Sequence, residues 1–307
     1  MTRPENNAKL IERRSRRMNI VILGAGGRLG AALMREYRDQ FDVTGFDRAQ
    51  LDLSSLDEIR KKLGALDFDL LINTAALTDV DLCEKQKAQA FLINAEAPGA
   101  LAEICRGKNA KLIHFSTDYV FDGEKREPYC ESDPANPINV YGESKREGEK
   151  LVLQAHDRHL VVRVSWVFGP DRPSFVDGVI KRARESEQVD AVADKFSAPT
   201  YTCDIAAALP RFFDADALGG ILHFTNAGEC SWQQYAQHAL DCCHKLGVPL
   251  RARAVAPLKL SDMRNFVALR PVHTVLAIEK YTTLSGSTPR SWRDAVADYV
   301  KSFYSRK

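Results

Sequence analysis

Tyr141 and Lys145 stand four residues apart, with Thr117 upstream in Phe115-Ser116-Thr117-Asp118-Tyr119-Val120-Phe121 and a glycine loop, Gly24-Ala25-Gly26-Gly27-Arg28-Leu29-Gly30, near the start of the chain. At this spacing a phenol and an ammonium share one face of a helix. A free phenol has a pKa near ~10, and lowering it to about 7 takes roughly 4 kcal/mol of differential stabilisation of the phenolate. An adjacent ammonium in a partly dry site supplies energy of that order. Such a pair can deliver a proton to a carbonyl oxygen while a hydride reaches the carbon, with the Thr117 hydroxyl aimed at the same oxygen. Each sign alone is weak, because Tyr-x-x-x-Lys arises by chance and glycine loops suit many nucleotide folds. The order is more telling: loop first, Ser-Thr at the end of an apolar strand, Tyr-x-x-x-Lys soon after.

The surrounding pattern supplies elements to hold these groups. Asn19-Ile20-Val21-Ile22-Leu23 reads as a buried strand running into the glycine loop, followed by a helix over 28–39. Further strands are expected at 41–46, 69–73, 111–116 and 161–166. Between them lie helices at 54–63, capped by Ser54, at 82–106 with a break at Pro98, and from Val140 onward. This alternation predicts an α/β fold, a Rossmann-like doubly wound parallel sheet. Ligands of such sheets bind beyond the carboxyl ends of the strands, where the glycine loop, Asn73-Thr74-Ala75-Ala76 and Ser116-Thr117-Asp118 all fall. After Gly169 the pattern loosens into helices at 174–187, 232–246 and 292–304, with a strand at 221–224. The expected division is a disordered extension over 1–17, a dinucleotide-binding domain over 18–168, and a smaller substrate-binding lobe over 169–307 that returns some elements to the core.

Gly24, Gly27 and Gly30 have the spacing that lets a pyrophosphate approach the backbone and a helix N-terminus. Asp47, ending the second strand, is placed to accept from the adenosine ribose. Asp47 favours NADH, whereas Arg28 and Arg48 could balance the 2′-phosphate of NADPH. Asp52 and Leu53 form a candidate clamp on the adenine. Asp118 either binds a sugar hydroxyl or caps the turn after its strand. Trp166 is either core or a platform for substrate. Asn94 either joins a proton relay or is structural, and His114 reads as a satisfied core histidine.

Composition narrows the classes. With 45% hydrophobic and 27% charged residues and a formal net charge of +2, the chain is an ordinary globular sequence with no basic footprint for nucleic acid. No apolar run reaches membrane-spanning length. Residues 1–17 are arginine-rich and lack the apolar stretch of a secretory signal, so they read as an extension or as translation begun upstream of Met18. The 7 cysteines lack disulfide-scaffold spacing and suit a reducing cytoplasm. Cys242-Cys243-His244 lies in a helical pattern that points its members apart, and no metal site is expected.

On these residues the chain resembles the extended short-chain dehydrogenase/reductases, and within them the dTDP-4-dehydrorhamnose reductase family. The resemblance spans roughly 18–303. It is carried by Ile72-Asn73-Thr74-Ala75-Ala76-Leu77-Thr78-Asp79-Val80-Asp81, Ser116-Thr117-Asp118-Tyr119-Val120-Phe121-Asp122-Gly123 and Asn139-Val140-Tyr141-Gly142-Glu143-Ser144-Lys145. Arg163-Val164-Ser165-Trp166-Val167-Phe168, Ser197-Ala198-Pro199-Thr200 and Leu269-Arg270-Pro271 extend it. It implies Thr117, Tyr141 and Lys145 as a catalytic triad. It implies Asp118, Tyr119 and Trp166 facing a 4-keto sugar, and Gly27, Arg28, Leu29, Asp52, Leu53, Ala75, Ala76 and Thr78 on the cofactor. The implied reaction is reduction of dTDP-4-dehydro-L-rhamnose to dTDP-L-rhamnose with NADPH or NADH, by a cytoplasmic protein that could be a homodimer. The alternatives are another nucleotide-linked 4-keto-6-deoxy sugar, or a non-catalytic regulatory role like that of the methionine adenosyltransferase β subunit. Thr74, the proline-containing segment 169–175 and Leu269 depart from the family pattern. The last two fall near the expected nucleotide-sugar pocket.

Overall fold

Ile20 and Ile22 enter one apolar core and Val21 and Leu23 another, so the first strand, β1 (Asn19–Leu23), is buried on both faces. That alternation follows from the two-residue period of a strand, and burial on both faces is the mark of a parallel sheet covered by helices. The computed structural model describes residues 17–214 and 218–305. The expected disordered extension lies outside them, except for Arg17.

From β1 the chain runs through α1 (Arg28–Tyr37), β2 (Asp42–Phe46), α2 (Leu56–Gly64) and β3 (Leu70–Asn73). Two short helices, α3 (Val80–Lys85) and α4 (Lys87–Phe91), lead through a π turn at Leu92–Glu96 into α5 (Ala97–Gly107). Then come β4 (Lys111–Thr117), α6 (Val140–Ala155) and β5 (Leu160–Val164). With β10 (Gly220–His223) these strands form one six-stranded parallel sheet in the order β2-β1-β3-β4-β5-β10. The order reverses between β1 and β3, which opens a crevice at their carboxyl ends.

The later chain contributes β6 (Val167–Phe168), α7 (Phe175–Glu185), β7 (Val189–Val192), β8 (Phe196–Ser197), β9 (Thr200–Tyr201) and α8 (Thr202–Ala208). After β10 follow β11 (Cys230–Ser231), α9 (Trp232–Lys245), β12 (Val255–Leu258), α10 (Glu279–Ser285) and α11 (Trp292–Tyr304). Helices α7, α9 and α11 share a separate core with Val179, Ile180, Tyr235, Ala239, Val296 and Tyr299. Other segments return to the sheet: β10 pairs with β5, and Tyr37 Oη donates to the Ala206 carbonyl of α8 at 2.8 Å.

Three local expectations are corrected. The residue before α2 is Ser55, not Ser54. The 82–106 helix is interrupted at Gln86, which leaves the helical region at φ −129° and ψ 56°, and again by the π turn. Pro98 sits in the first turn of α5, where its missing N–H is no loss, so it breaks nothing. The 161–166 strand stops at Val164, because Trp166 takes φ +41°, a left-handed turn that ends the ladder.

Candidate active site

The glycine loop closes only because Gly30 lacks a side chain: a Cβ there would lie 2.1 Å from the Gly24 carbonyl oxygen. The first turn of α1 has no side-chain cap and no acidic residue, so its N–H groups remain available to an anion. Above this loop runs a cleft of about 800 Å³. It is bordered by Gly24, Gly27, Arg28, Leu29, Asp47, Asp52, Leu53, Ala75, Ala76 and Thr78 at one end. Thr117, Asp118, Tyr119, Tyr141, Lys145 and Trp166 border the other. Gly30 does not reach the lining; it sets the closeness of loop and helix. A bare glycine loop, an open helix end and a cleft of this volume fit a dinucleotide.

Tyr141 and Lys145 lie in the first turns of α6, which Asn139 caps by accepting the Gly142 N–H at 2.8 Å. Gly142 lets the helix press against the turn after β4, since a Cβ there would meet the Tyr119 carbonyl oxygen at 2.1 Å. The rings of Tyr119 and Tyr141 meet edge to face at 5.7 Å. Burial pushes the Tyr141 phenol above its ordinary pKa, while the neighbouring Thr117 hydroxyl pulls it down and Asp118 pushes it up. Lys145 follows one helical turn later. Its amine donates to the Phe115 carbonyl at 2.7 Å and faces His114 Nε2 at 3.2 Å. Burial draws Lys145 down to about 8, against an upward pull from Glu149.

Asp118 does not cap the turn. That place belongs to Thr117, whose Oγ1 accepts the Tyr119 N–H at 3.2 Å and donates to Asp118 Oδ1 at 3.0 Å. The other Asp118 oxygen takes the hydroxyls of Thr274 at 2.5 Å and Ser197 at 3.2 Å. Burial raises the Asp118 pKa, opposed by the Lys195 cation. Lys195 is fully buried and stands 4.9 Å from the centre of the Tyr119 ring. Asp118 thus orients the Thr117 hydroxyl and joins β4 to two segments of the later chain. Asn94, in the π turn, accepts the Leu77 N–H at 2.8 Å and donates to Ser144 Oγ at 3.0 Å. Its amide thus joins the cofactor-side loop to α6 through Ser144.

At the adenosine end Asp47 Oδ1 accepts the Gln50 N–H at 2.9 Å, and Asp52 Oδ1 accepts that of Ser54 at 2.9 Å. Arg48 reaches Asp52 at 3.4 Å from the exposed rim. Arg28 turns elsewhere: its guanidinium donates to the carbonyls of Val167, Arg172 and Pro173. Arg172 and Trp232 also border the cleft. Neither carried a local sign in the sequence, since both arrive from segments far along the chain. Thr74, the departure after β3, donates to the Leu23 carbonyl at 2.7 Å and so ties β3 to the start of the loop. Leu269 is 69% exposed, and its carbonyl accepts from Asn139 at 2.9 Å. Among the described residues no three His, Cys, Asp or Glu side chains group as a metal site. No helix there is long and apolar enough to cross a membrane.

The family model described as "RmlD substrate binding domain" matches residues 18–305. A dTDP-4-dehydrorhamnose reductase of Mycolicibacterium smegmatis is 37% identical over 286 residues, covering 92% of this chain and 84% of that protein. A probable dTDP-4,6-dihydroxy-2-methyloxan-3-one 4-ketoreductase of Streptomyces antibioticus is 36% identical, covering 92% and 94%. Among solved structures, dTDP-4-dehydrorhamnose reductase from Bacillus anthracis in complex with NADP superposes with a TM-score of 0.87 at 30% identity, covering 93% of this chain and 99% of that one. On the family match over residues 18–305 and these likenesses, the chain belongs to the RmlD substrate binding domain family, that of the dTDP-4-dehydrorhamnose reductases.

Proposed function

We propose that the protein is an NAD(P)H-dependent reductase of the 4-keto group of a nucleotide-linked 6-deoxy sugar, converting dTDP-4-dehydro-L-rhamnose to dTDP-L-rhamnose in the cytoplasm, as a homodimer. One observation carries the reading: the glycine loop, Thr117, Tyr141, Lys145 and Trp166 border a single cleft. When bound, the dinucleotide supplies the hydride.

The side chains do the rest. Tyr141 holds its proton, because burial disfavours the phenolate, and gives it to the carbonyl oxygen as negative charge gathers there. Thr117, whose single hydroxyl proton rests on Asp118 Oδ1, turns that proton to the same oxygen when the substrate is bound. Lys145 holds the nicotinamide ribose and, as a cation, favours the phenolate left behind. Gly24, Gly27, Arg28 and Leu29 form the pyrophosphate end, with Gly30 behind them letting loop and helix close, and Asp47, Asp52 and Leu53 form the adenosine end. Ala75, Ala76 and Thr78 line the passage between. Asp118, Tyr119 and Trp166 form the sugar side. The assembled triad supports catalysis over a purely regulatory role.

A second reading keeps the chemistry and changes the sugar. The Streptomyces relative is named for a different dTDP-linked ketone, and the segment 169–175 departs from the family pattern. A panel of 4-keto-6-deoxy nucleotides, each incubated with the purified protein and NADPH or NADH, separates the two through cofactor oxidation and product identity. Fastest turnover of the rhamnose precursor is expected; turnover of none would remove the reductase reading. Sedimentation tests the dimer.

A further inference from the structure

Behind the catalytic lysine runs a buried hydrogen-bond chain that the scheme above leaves unused. The Ala75 N–H donates to Asn73 Oδ1 at 3.1 Å. A backbone N–H can only donate, so this contact settles which end of the amide is oxygen. Asn73 Nδ2 therefore donates to His114 Nδ1, 3.1 Å away. With Nδ1 accepting, a neutral imidazole carries its proton on Nε2. Nε2 faces Lys145 Nζ at 3.2 Å. Asn73 is 1% exposed and His114 0%.

An imidazole N–H and an ammonium are both donors, and they oppose each other at this distance. An imidazole N–H and the lone pair of a neutral amine attract. Burial holds His114 well below its ordinary pKa, as does the nearby Lys145, so the ring stays neutral. The titratable groups around Lys145 are few. From β4 comes His114; from its own helix come Tyr141, one turn before, and Glu149, one turn after. Glu149 is occupied by Arg163 of β5 and Ser116 of β4, and Asn94 of the π turn faces Ser144 rather than the amine.

We propose that His114, its tautomer keyed by Asn73, is a positioning residue that holds the Lys145 lone pair toward β4 and so governs when the lysine carries its charge. The inference rests on the reading of Lys145 as the residue that holds the cofactor ribose. Cofactor affinity then falls as pH rises through the lysine's titration, near 8. In His114→Gln the amide oxygen can accept from the ammonium, and the fall moves to higher pH.

Two measurements decide. Nitrogen NMR of native protein labelled at histidine, with His114 assigned through the backbone, is expected to show Nδ1 bare and Nε2 protonated. The ring should not titrate across the range where a free histidine does. NADPH affinity against pH, read by nicotinamide fluorescence, is expected to shift upward by about one pH unit in His114→Gln. An Nδ1–H tautomer, or the same midpoint in variant and native protein, would overturn the proposal. Should His114→Gln not fold, the native spectrum decides alone. Reduction of the keto sugar by the native enzyme tests the reductase reading separately.

Discussion

The Nε–H of Arg172 donates to the Gly26 carbonyl at 2.8 Å, so a side chain from the segment after β6 closes on the cofactor loop. The reverse contact exists too, in Arg28 of α1 donating to the carbonyls of Val167 and Arg172 at 3.1 and 3.2 Å and to that of Pro173. Arg35 adds an ion pair to Asp171 at 2.6 Å. The proline-containing segment is therefore fastened both to the glycine loop and to α1. Arg172→Ala is expected to weaken NADPH and NADH binding about three- to tenfold, the worth of roughly 1 kcal/mol. Because Arg172 is exposed, the melting temperature should barely move. Unchanged affinity in a fluorescence titration would detach this segment from cofactor binding.

Behind β4 and β5 lies a dry ion pair. Arg163 grips both Glu149 oxygens at 2.7 Å, and Ser116 Oγ donates to Glu149 Oε1 at 2.6 Å. Arg163 and Glu149 are 1% and 0% exposed. Arg163→Met would strand a buried carboxylate and is expected to cost about 3–5 kcal/mol in urea unfolding. The pair Arg163→Met with Glu149→Leu should recover most of that loss. Simple addition of the two single effects would show that the residues are not coupled.

Acid should destabilise the fold in a defined window. His159 Nδ1 accepts the Leu112 N–H at 3.2 Å, leaving Nε2–H to the Ala102 carbonyl at 3.1 Å. Burial holds His159 at about 4 instead of 6.5. Between those values the unfolded chain binds more protons, so the stability present above 6.5 is lost as pH falls toward 4. His223, drawn to about 3, acts in the same direction. His159→Gln is expected to flatten the fall of unfolding free energy across this window, although its stability at neutral pH drops. An unaltered slope would place the acid sensitivity elsewhere.

Much of this was legible along the chain because the signals are local. β1, the glycine loop and α1 are contiguous, and the final helix spans 292–304 as its periodicity predicts. Tyr141 and Lys145 share α6, and Thr117 ends β4, so their types and spacing sufficed to bring them to one cleft. What stayed hidden is non-local. Arg172, Trp232, Lys195 and Thr274 reach the cleft or its lining residues across long stretches of chain. The alternatives for Asp118 turned on a partner, Thr274, that no sequence period relates to it, and none relates the core histidine His114 to Lys145 either. The carbonyls that Arg28 binds, on Val167, Arg172 and Pro173, stayed hidden for the same reason, while Arg28 itself borders the cleft.

The central claim is that Tyr141 gives the proton during carbonyl reduction in this cleft. Single-turnover reduction of dTDP-4-dehydro-L-rhamnose by Tyr141→Phe, set beside NADPH affinity of the same variant, tests it most directly. Loss of a positioned acid is expected to slow reduction by about 10²–10⁴-fold while the affinity stays within roughly twofold. Reduction at close to the native rate by that variant would contradict the claim.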